Sequence, residues 1–319
     1  MSFRILLIIF FMSGAIHSEE NFGIVVHGGA GVMSGLSEEK QEQIQNKIRE
    51  TVSQAYLILE EGGSSLDAVE LAVSILEDSP LFNAGRGSVY NSDEVQEMDA
   101  SIMDGKNRLT GAVASISIVK NPIKLARKVA EETNHVLLVG EGAERFAKNI
   151  GIEIVDKEYF FHQERLQRAL NSKKKTSKLN QDLNKIGTVG AVALDKNGNI
   201  SAATSTGGMT NKMPGRVGDS PIIGSGTWAQ NGVCGVSSTG HGEYFIKYQV
   251  AREVCVRIEY LNQSLNDSSE SIINELNDIG ASGGLIAIDH KGNISTPFNT
   301  KGMIRGSQTN KTRLKSEIY

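Results

Sequence analysis

The sequence predicts an α+β fold in which mainly antiparallel sheets are flanked by helices. Residues 188–206 (TVGAVALDKNGNISAATST) and 283–300 (GGLIAIDHKGNISTPFNT) repeat one design: an apolar strand, an Asp, a turn, then Gly-Asn-Ile-Ser leading into a return strand. Asn197-Gly198 is a strong hairpin signal in the first of these. Long helices in both halves supply the layers that would cover such sheets. There is no P-loop or dinucleotide fingerprint that would favour a parallel βαβ arrangement, and Gly85-Arg86-Gly87 is too short to be either.

The elements follow in order. GIVVHGG (23–29) reads as a short buried strand ending in glycines. Ser37 caps a helix whose apolar positions Ile44, Ile48, Val52, Ala55, Tyr56 and Leu59 recur at helical spacing, and Gly62-Gly63 stops it. Ser64 with Asp67 forms a capping-box pattern that opens a second helix through Leu76. The stretch LEDSPLFNAGRGSVYNSDEV reads as a long loop and GAVASISIV (111–119) as a strand. Asn121-Pro122 caps and starts a third helix, with Pro at a first-turn position it tolerates. Strand HVLLVG and helix GAERFAKN follow. Residues 171–186 (NSKKKTSKLNQDLNKI) are strongly polar, a mobile tract that ends at the apolar run 188–194.

The chain has 319 residues, 39% hydrophobic, enough for one sizeable core. A net charge of −4 leaves no electrostatic footprint for nucleic acid, and Lys173–Lys175 reads as a solvated loop. Residues 1–18 have the pattern of a secretory signal peptide: Arg4, a short apolar core from Ile5 to Met12, then small residues before Glu19-Glu20. Cleavage after Ser18 or Ala15 fits, and the expected address is secreted or periplasmic. The apolar stretch is too short to span a bilayer, and no second membrane candidate exists. Cys234 and Cys255 read as core residues; export would permit a disulfide between them without demanding one. No HExxH or Cys-rich zinc pattern occurs.

Gly187-Thr188 stands where the polar tract meets the buried strand. Cleavage before Thr188 would place a hydroxyl nucleophile and a free α-amine on one residue, the amine titrating at about 7.7–8.0. Alone, Thr188 is simply a good strand residue. Downstream, Arg216 and Asp219 lie three apart in the glycine-bracketed loop GRVGDSP. They can grip the α-carboxylate and α-ammonium of an amino acid, or pair with each other. Thr239-Gly240, before His241-Gly242-Glu243, can present a hydroxyl and backbone N–H groups to an oxyanion, or merely cap a helix. For His241, helix capping is the better reading than general-base chemistry. Thr204-Ser205-Thr206 is either site or strand surface.

With these segments assembled, the chain resembles the plant-type L-asparaginases, or isoaspartyl peptidases, of the N-terminal nucleophile hydrolase superfamily. VVHGGAG, LEDSPLFNAGRGSVYN, MDASIMDG, GTVGAVALD, TSTGGMTNKMPGRVGDSPIIGSGTWA, STGHGE and GGLIAIDHKGNI carry the resemblance, from Ile24 to about Gly306. It implies an αββα sandwich, self-cleavage between Gly187 and Thr188, an α subunit of residues 19–187 (171–187 a mobile linker), a β subunit of residues 188–319, and a homodimer of αβ units. It implies that Thr188 attacks the side-chain carbonyl of asparagine or of a β-linked aspartyl group, releasing L-aspartate, with its α-amine as base. Thr206 matches a hydroxyl touching the nucleophile, Thr239 and Gly240 the oxyanion positions, and Arg216 the carboxylate clamp. Asp219 and the Gly242 carbonyl match the ammonium acceptors, and Asn83 a site asparagine. The main-chain carbonyls of Leu76, Glu77, Ser79, Phe82, Ala84 and Arg86 match a sodium-binding loop, and no organic cofactor is implied. Two rival readings stand: a glycosylasparaginase, disfavoured by the GGMTNKMPGRVGDSP segment, and an exported amino-acid-binding protein without chemistry.

Overall fold

The computed structural model describes residues 20–31, 33, 35–174 and 187–319. The signal-like segment 1–18 and residues 175–186 of the polar tract lie outside the described residues. In chain order the elements are β1 (Gly23–Gly31), α1 (Glu38–Glu60), α2 (Ser65–Glu77), β2 (Met98–Asp104), β3 (Thr110–Ile116), α3 (Pro122–Glu132), β4 (Leu137–Val139), α4 (Gly140–Asn149) and α5 (Gln163–Lys174). The second half supplies β5 (Val189–Leu194), β6 (Ile200–Thr206), β7 (Thr227–Gln230), β8 (Cys234–Gly240), α6 (Gly242–Tyr248), α7 (Val250–Leu261), α8 (Leu265–Asp278), β9 (Gly283–Asp289), β10 (Ile294–Ser295), β11 (Gly302–Thr309) and β12 (Thr312–Glu317).

The strands form an eight-stranded sheet, ordered β12-β11-β1-β5-β6-β2-β3-β4, and a four-stranded sheet, β10-β9-β8-β7. All pairings are antiparallel except β3 with β4. Among the described residues, three apolar clusters define the layers. One lies between the large sheet and helices α1 to α4, one between the small sheet and helices α6 to α8, and a third between the two sheets. The architecture is therefore the αββα sandwich.

Strand β5 shows why its sequence is continuously apolar. It sits near the middle of the large sheet, with Val189, Ala191 and Ala193 in the helix-side core and Val192 and Leu194 in the inter-sheet core. Buried on both faces, it has no position for a polar residue. The caps at Ser37 and Ser64 form as expected, accepting from Lys40 N and Asp67 N. Asn121 does precede α3, but its side chain does not cap the helix; it reaches Asp78 Oδ1 at 3.1 Å. The Ile123 N–H instead donates to the buried Glu77 carboxyl at 3.0 Å. Several elements go beyond the sequence reading, among them strand β2 (MDASIMD) and α5, which carries the chain through the first four residues of the polar tract. Cys234 and Cys255 are buried as expected, and they are joined in a disulfide that staples β8 to α7.

Candidate active site

The Gly187–Thr188 bond, still joined, lies at the head of β5 against the glycine turn of β1. The β1–β11 register shifts between His27 and Gly29, and Gly29 has φ +104°, a conformation natural to glycine. A Cβ on Gly29 would run into the backbone of Gly187, so the HGG motif makes room for Gly187. Thr188 is 8% exposed, and its Oγ1 donates to Thr206 Oγ1 at 3.1 Å. Thr206 Oγ1 in turn accepts from Gly208 N at 3.0 Å.

Thr239, next to last in β8, lies beside the same bond. Its Oγ1 accepts from Ala30 N at 3.3 Å and would stand 3.0 Å from a Cβ on Gly187. Gly240 follows, and a Cβ there would lie 2.5 Å from the Ser282 carbonyl. Asn83 lines the cavity while bracing it: its Nδ2 donates to Gly208 O at 2.7 Å and its Oδ1 accepts from Val89 N at 3.0 Å.

The charged end of the cavity differs from the simplest reading of the sequence. Arg216 does not pair with Asp219; its Nε and Nη2 both reach Glu243 Oε1, at 3.0 and 2.9 Å. Asp219 is enclosed, its Oδ2 has no hydrogen-bond partner among the described residues, and burial pushes its carboxyl up to about 7, against the pull of Arg216. Gly242 is squeezed between the two, since a Cβ there would lie 2.8 Å from Asp219 Oδ1 and 2.9 Å from Arg216 Nη2. The Thr188 and Thr239 hydroxyls, the Gly240 backbone, the Arg216 guanidinium and the Asp219 carboxyl thus face one cavity of about 30 Å³. Sequence reasoning quoted Glu243 only as part of a motif; its signal was an acidic residue in the first turn of α6. His241 precedes α6 without a side-chain cap and packs its ring 5.6 Å from Tyr244.

The loop after α2 gathers main-chain oxygens. A Cβ on Gly85 would strike the Glu77 carbonyl, and one on Gly87 would strike the Phe82 and Pro80 carbonyls. The Leu76 and Ala84 carbonyls accept from Ser79 N at 3.3 Å and Gly87 N at 3.0 Å, each with a second lone pair to offer. Hard neutral oxygens around a tight glycine turn fit a monovalent cation.

The Asparaginase family profile matches residues 20–317. The chain belongs to the asparaginase family. The isoaspartyl peptidase of Escherichia coli (strain K12) is 46% identical, covering 88% of this chain and 91% of its own length. The isoaspartyl peptidase/L-asparaginase of Xenopus laevis is 45% identical over 88% of this chain and 90% of its own, and that of Mus musculus 43% over 88% and 86%. This asparaginase-family chain therefore spans nearly the full length of such relatives. None of these three is named a glycosylasparaginase.

Proposed function

We propose that this chain is a self-cleaving threonine hydrolase that acts on β-aspartyl dipeptides and L-asparagine, releasing L-aspartate. The observation that carries the reading is the convergence of Thr188, at an apolar-strand head, with Thr206, Thr239-Gly240 and the Arg216/Asp219 end of one cavity. After cleavage, Thr188 Oγ attacks the side-chain carbonyl and its own α-amine takes the proton. The amine then returns it to the leaving amine, and water releases aspartate from the acyl-enzyme. Thr239 and Gly240 face the developing oxyanion. Arg216 takes the α-carboxylate, and Asp219, with the Gly242 carbonyl, takes the α-ammonium. The names of the relatives support this substrate class over the glycan-linked one.

Replacing Thr188 by Ala should abolish both splitting and turnover. Intact mass after a day at neutral pH reads the first, and aspartate release reads the second. Two fragments meeting at Gly187/Thr188 in the variant, or wild-type turnover by it, would sink the proposal.

Three further features belong to this reading. The carbonyl loop 76–86 holds sodium, so exchanging sodium for a bulky organic cation should lower the melting temperature; no change would remove the claim. The processed units pair as a homodimer, which sedimentation would refute by showing a single αβ mass. The chain is exported, supported by the buried disulfide. Cytosolic retention of a reporter fused to residues 1–25 would remove that claim.

A further inference from the structure

The charged end of the cavity hangs from the connection between β6 and β7, and residues 83–97 hold that connection in place. Gly207 N donates to Asn83 O at 3.0 Å, Asn211 N to Tyr90 O at 2.8 Å, and Ser92 N to Lys212 O at 2.8 Å. Lys212 is buried, and its Nζ donates to Glu97 O at 2.9 Å. The series ends at a carboxylate: Glu97 Oε1 accepts from Gly215 N at 3.1 Å, with Oε2 at 3.4 Å. Gly215 is the residue before Arg216.

Turn chemistry explains why that N–H needs an outside partner. Arg216 N donates to Met213 O at 3.0 Å, closing a tight turn over Met213-Pro214-Gly215-Arg216. Pro at its second position and a glycine with φ +76° at its third are the pattern of a type II turn. The turn's own hydrogen bond uses the N–H of its fourth residue, so the Gly215 N–H has no partner inside it. Met213, Pro214 and Gly215 are all exposed, so water competes for that N–H and only an acceptor already in place can hold it. Glu97 supplies one. Its Oε2 accepts from Asn91 Nδ2 at 2.9 Å, and Asn91 Oδ1 accepts from Asp93 N and Val95 N, each at 2.9 Å. Glu97 also stands immediately before β2. A strand and a closed turn thus aim the carboxylate, and an ionised acceptor makes roughly twice as strong a bond as a neutral one. Arg216 is therefore fixed twice, its backbone turn by Glu97 and its guanidinium by Glu243.

We propose that Glu97 is a positioning residue for the substrate grip: its carboxylate fixes the Met213–Arg216 turn and, through it, the place where the Arg216 guanidinium meets the substrate's α-carboxylate. Glu97 stands outside the cavity lining, so it acts through Arg216. The inference rests on the reading above that Arg216 takes the α-carboxylate. Splitting at Gly187/Thr188 would leave Glu97 on one fragment and Arg216 on the other, so the grip needs both to stay together.

Hydrogen exchange at the Gly215 amide, followed by NMR, reads the contact in split or unsplit protein and whether or not it turns over. Failure of this inference is thereby separable from failure of the hydrolase reading, which the Thr188→Ala mass test reports. The expected result is a protected amide that exchanges about ten-fold faster in Glu97→Ala, the effect of one lost hydrogen bond to a charged group. Kinetics on L-asparagine read the consequence. The α-carboxylate is gripped alike in the ground state and the transition state, so Glu97→Ala should raise KM about ten-fold at nearly constant kcat. Glu97→Gln keeps an oxygen able to accept from Gly215 N and should recover most of that loss. In an Arg216→Ala background, Glu97→Ala should change kcat/KM by less than about two-fold, because the residue it acts through is gone. A Gly215 amide that exchanges freely in the wild type overturns the proposal, and that measurement needs no variant to fold. So does a Glu97→Ala enzyme with unchanged KM, or one whose loss persists in full without Arg216, since a residue that only supported the loop would act there too.

Discussion

The Asp219 carboxyl is shut away from solvent and gains no hydrogen-bond partner at Oδ2 among the described residues, and burial pushes it up to about 7. Only its ionised form can receive an ammonium group, so kcat/KM should fall as the pH drops through about 7. The Thr188 α-amine titrates nearby, and Asp219→Asn separates the two by removing the carboxyl's part of the profile. That variant should also lose about 3 kcal/mol of transition-state binding, roughly a hundred-fold in kcat/KM. An unchanged acid limb in Asp219→Asn would take Asp219 out of the ammonium site. For stability the sign is separate: a folded pKa raised above the unfolded 3.8 means a contribution present below that value and lost as the pH rises through about 7. Asp219→Asn should therefore gain stability at neutral pH in the absence of substrate. That Arg216, Asp219, Thr206 and Thr239 would gather was legible from the sequence, and they line one cavity. Which charge pairs with which was not: Glu243 reaches Arg216 from 27 positions further along the chain, a distance that no local spacing encodes.

At the scale of elements, what the sequence revealed was whatever is decided locally. The Ser37 and Ser64 caps, the Asn197-Gly198 turn and the doubly buried β5 depend on neighbours in sequence, and they stand where the pattern placed them. Strand β2 was obscured because MDASIMD mixes polar and apolar residues without a clean alternation. Its Ser101 is buried and donates to the Ser220 carbonyl rather than facing solvent, and Asp99 is buried with Oδ1 accepting from Ser115 N at 2.8 Å. The cap of α3 comes from Glu77, 46 residues away, so Asn121 was the natural but wrong candidate. The disulfide lies in the same class, since the two cysteines meet only when α7 packs on β8. Its sequence separation of 21 predicts about 3 kcal/mol of stabilisation by restriction of the unfolded chain. Cys255→Ser should lower the melting temperature accordingly and, through β8, reduce the yield of correctly placed Thr239. A variant as stable as wild type would mean that the staple adds nothing to packing already sufficient.

Over the whole molecule, sheets, turns and grips converge on a cavity of about 30 Å³ while Gly187 remains joined to Thr188. That is room for about one water molecule, far short of an amino acid. Gly187 itself lines the cavity and packs on Gly29 and beside Thr239, so under the proposed function the residue before the bond to be cut also fills the proposed substrate's place. Cleavage at the proposed bond would do two things at once: it would free the α-amine of Thr188, and it would allow residue 187 to leave. The unsplit protein should accordingly be unable to bind product, even though Arg216 and Asp219 already line the cavity. Thermal denaturation of freshly isolated, unsplit protein with and without L-aspartate checks this against the same sample after splitting. The split enzyme should gain about 2.7 kcal/mol at a hundred-fold excess of ligand over Kd, and the unsplit protein nothing. Equal stabilisation of both forms would mean that the cavity opens without cleavage, and that processing serves only to create the amine.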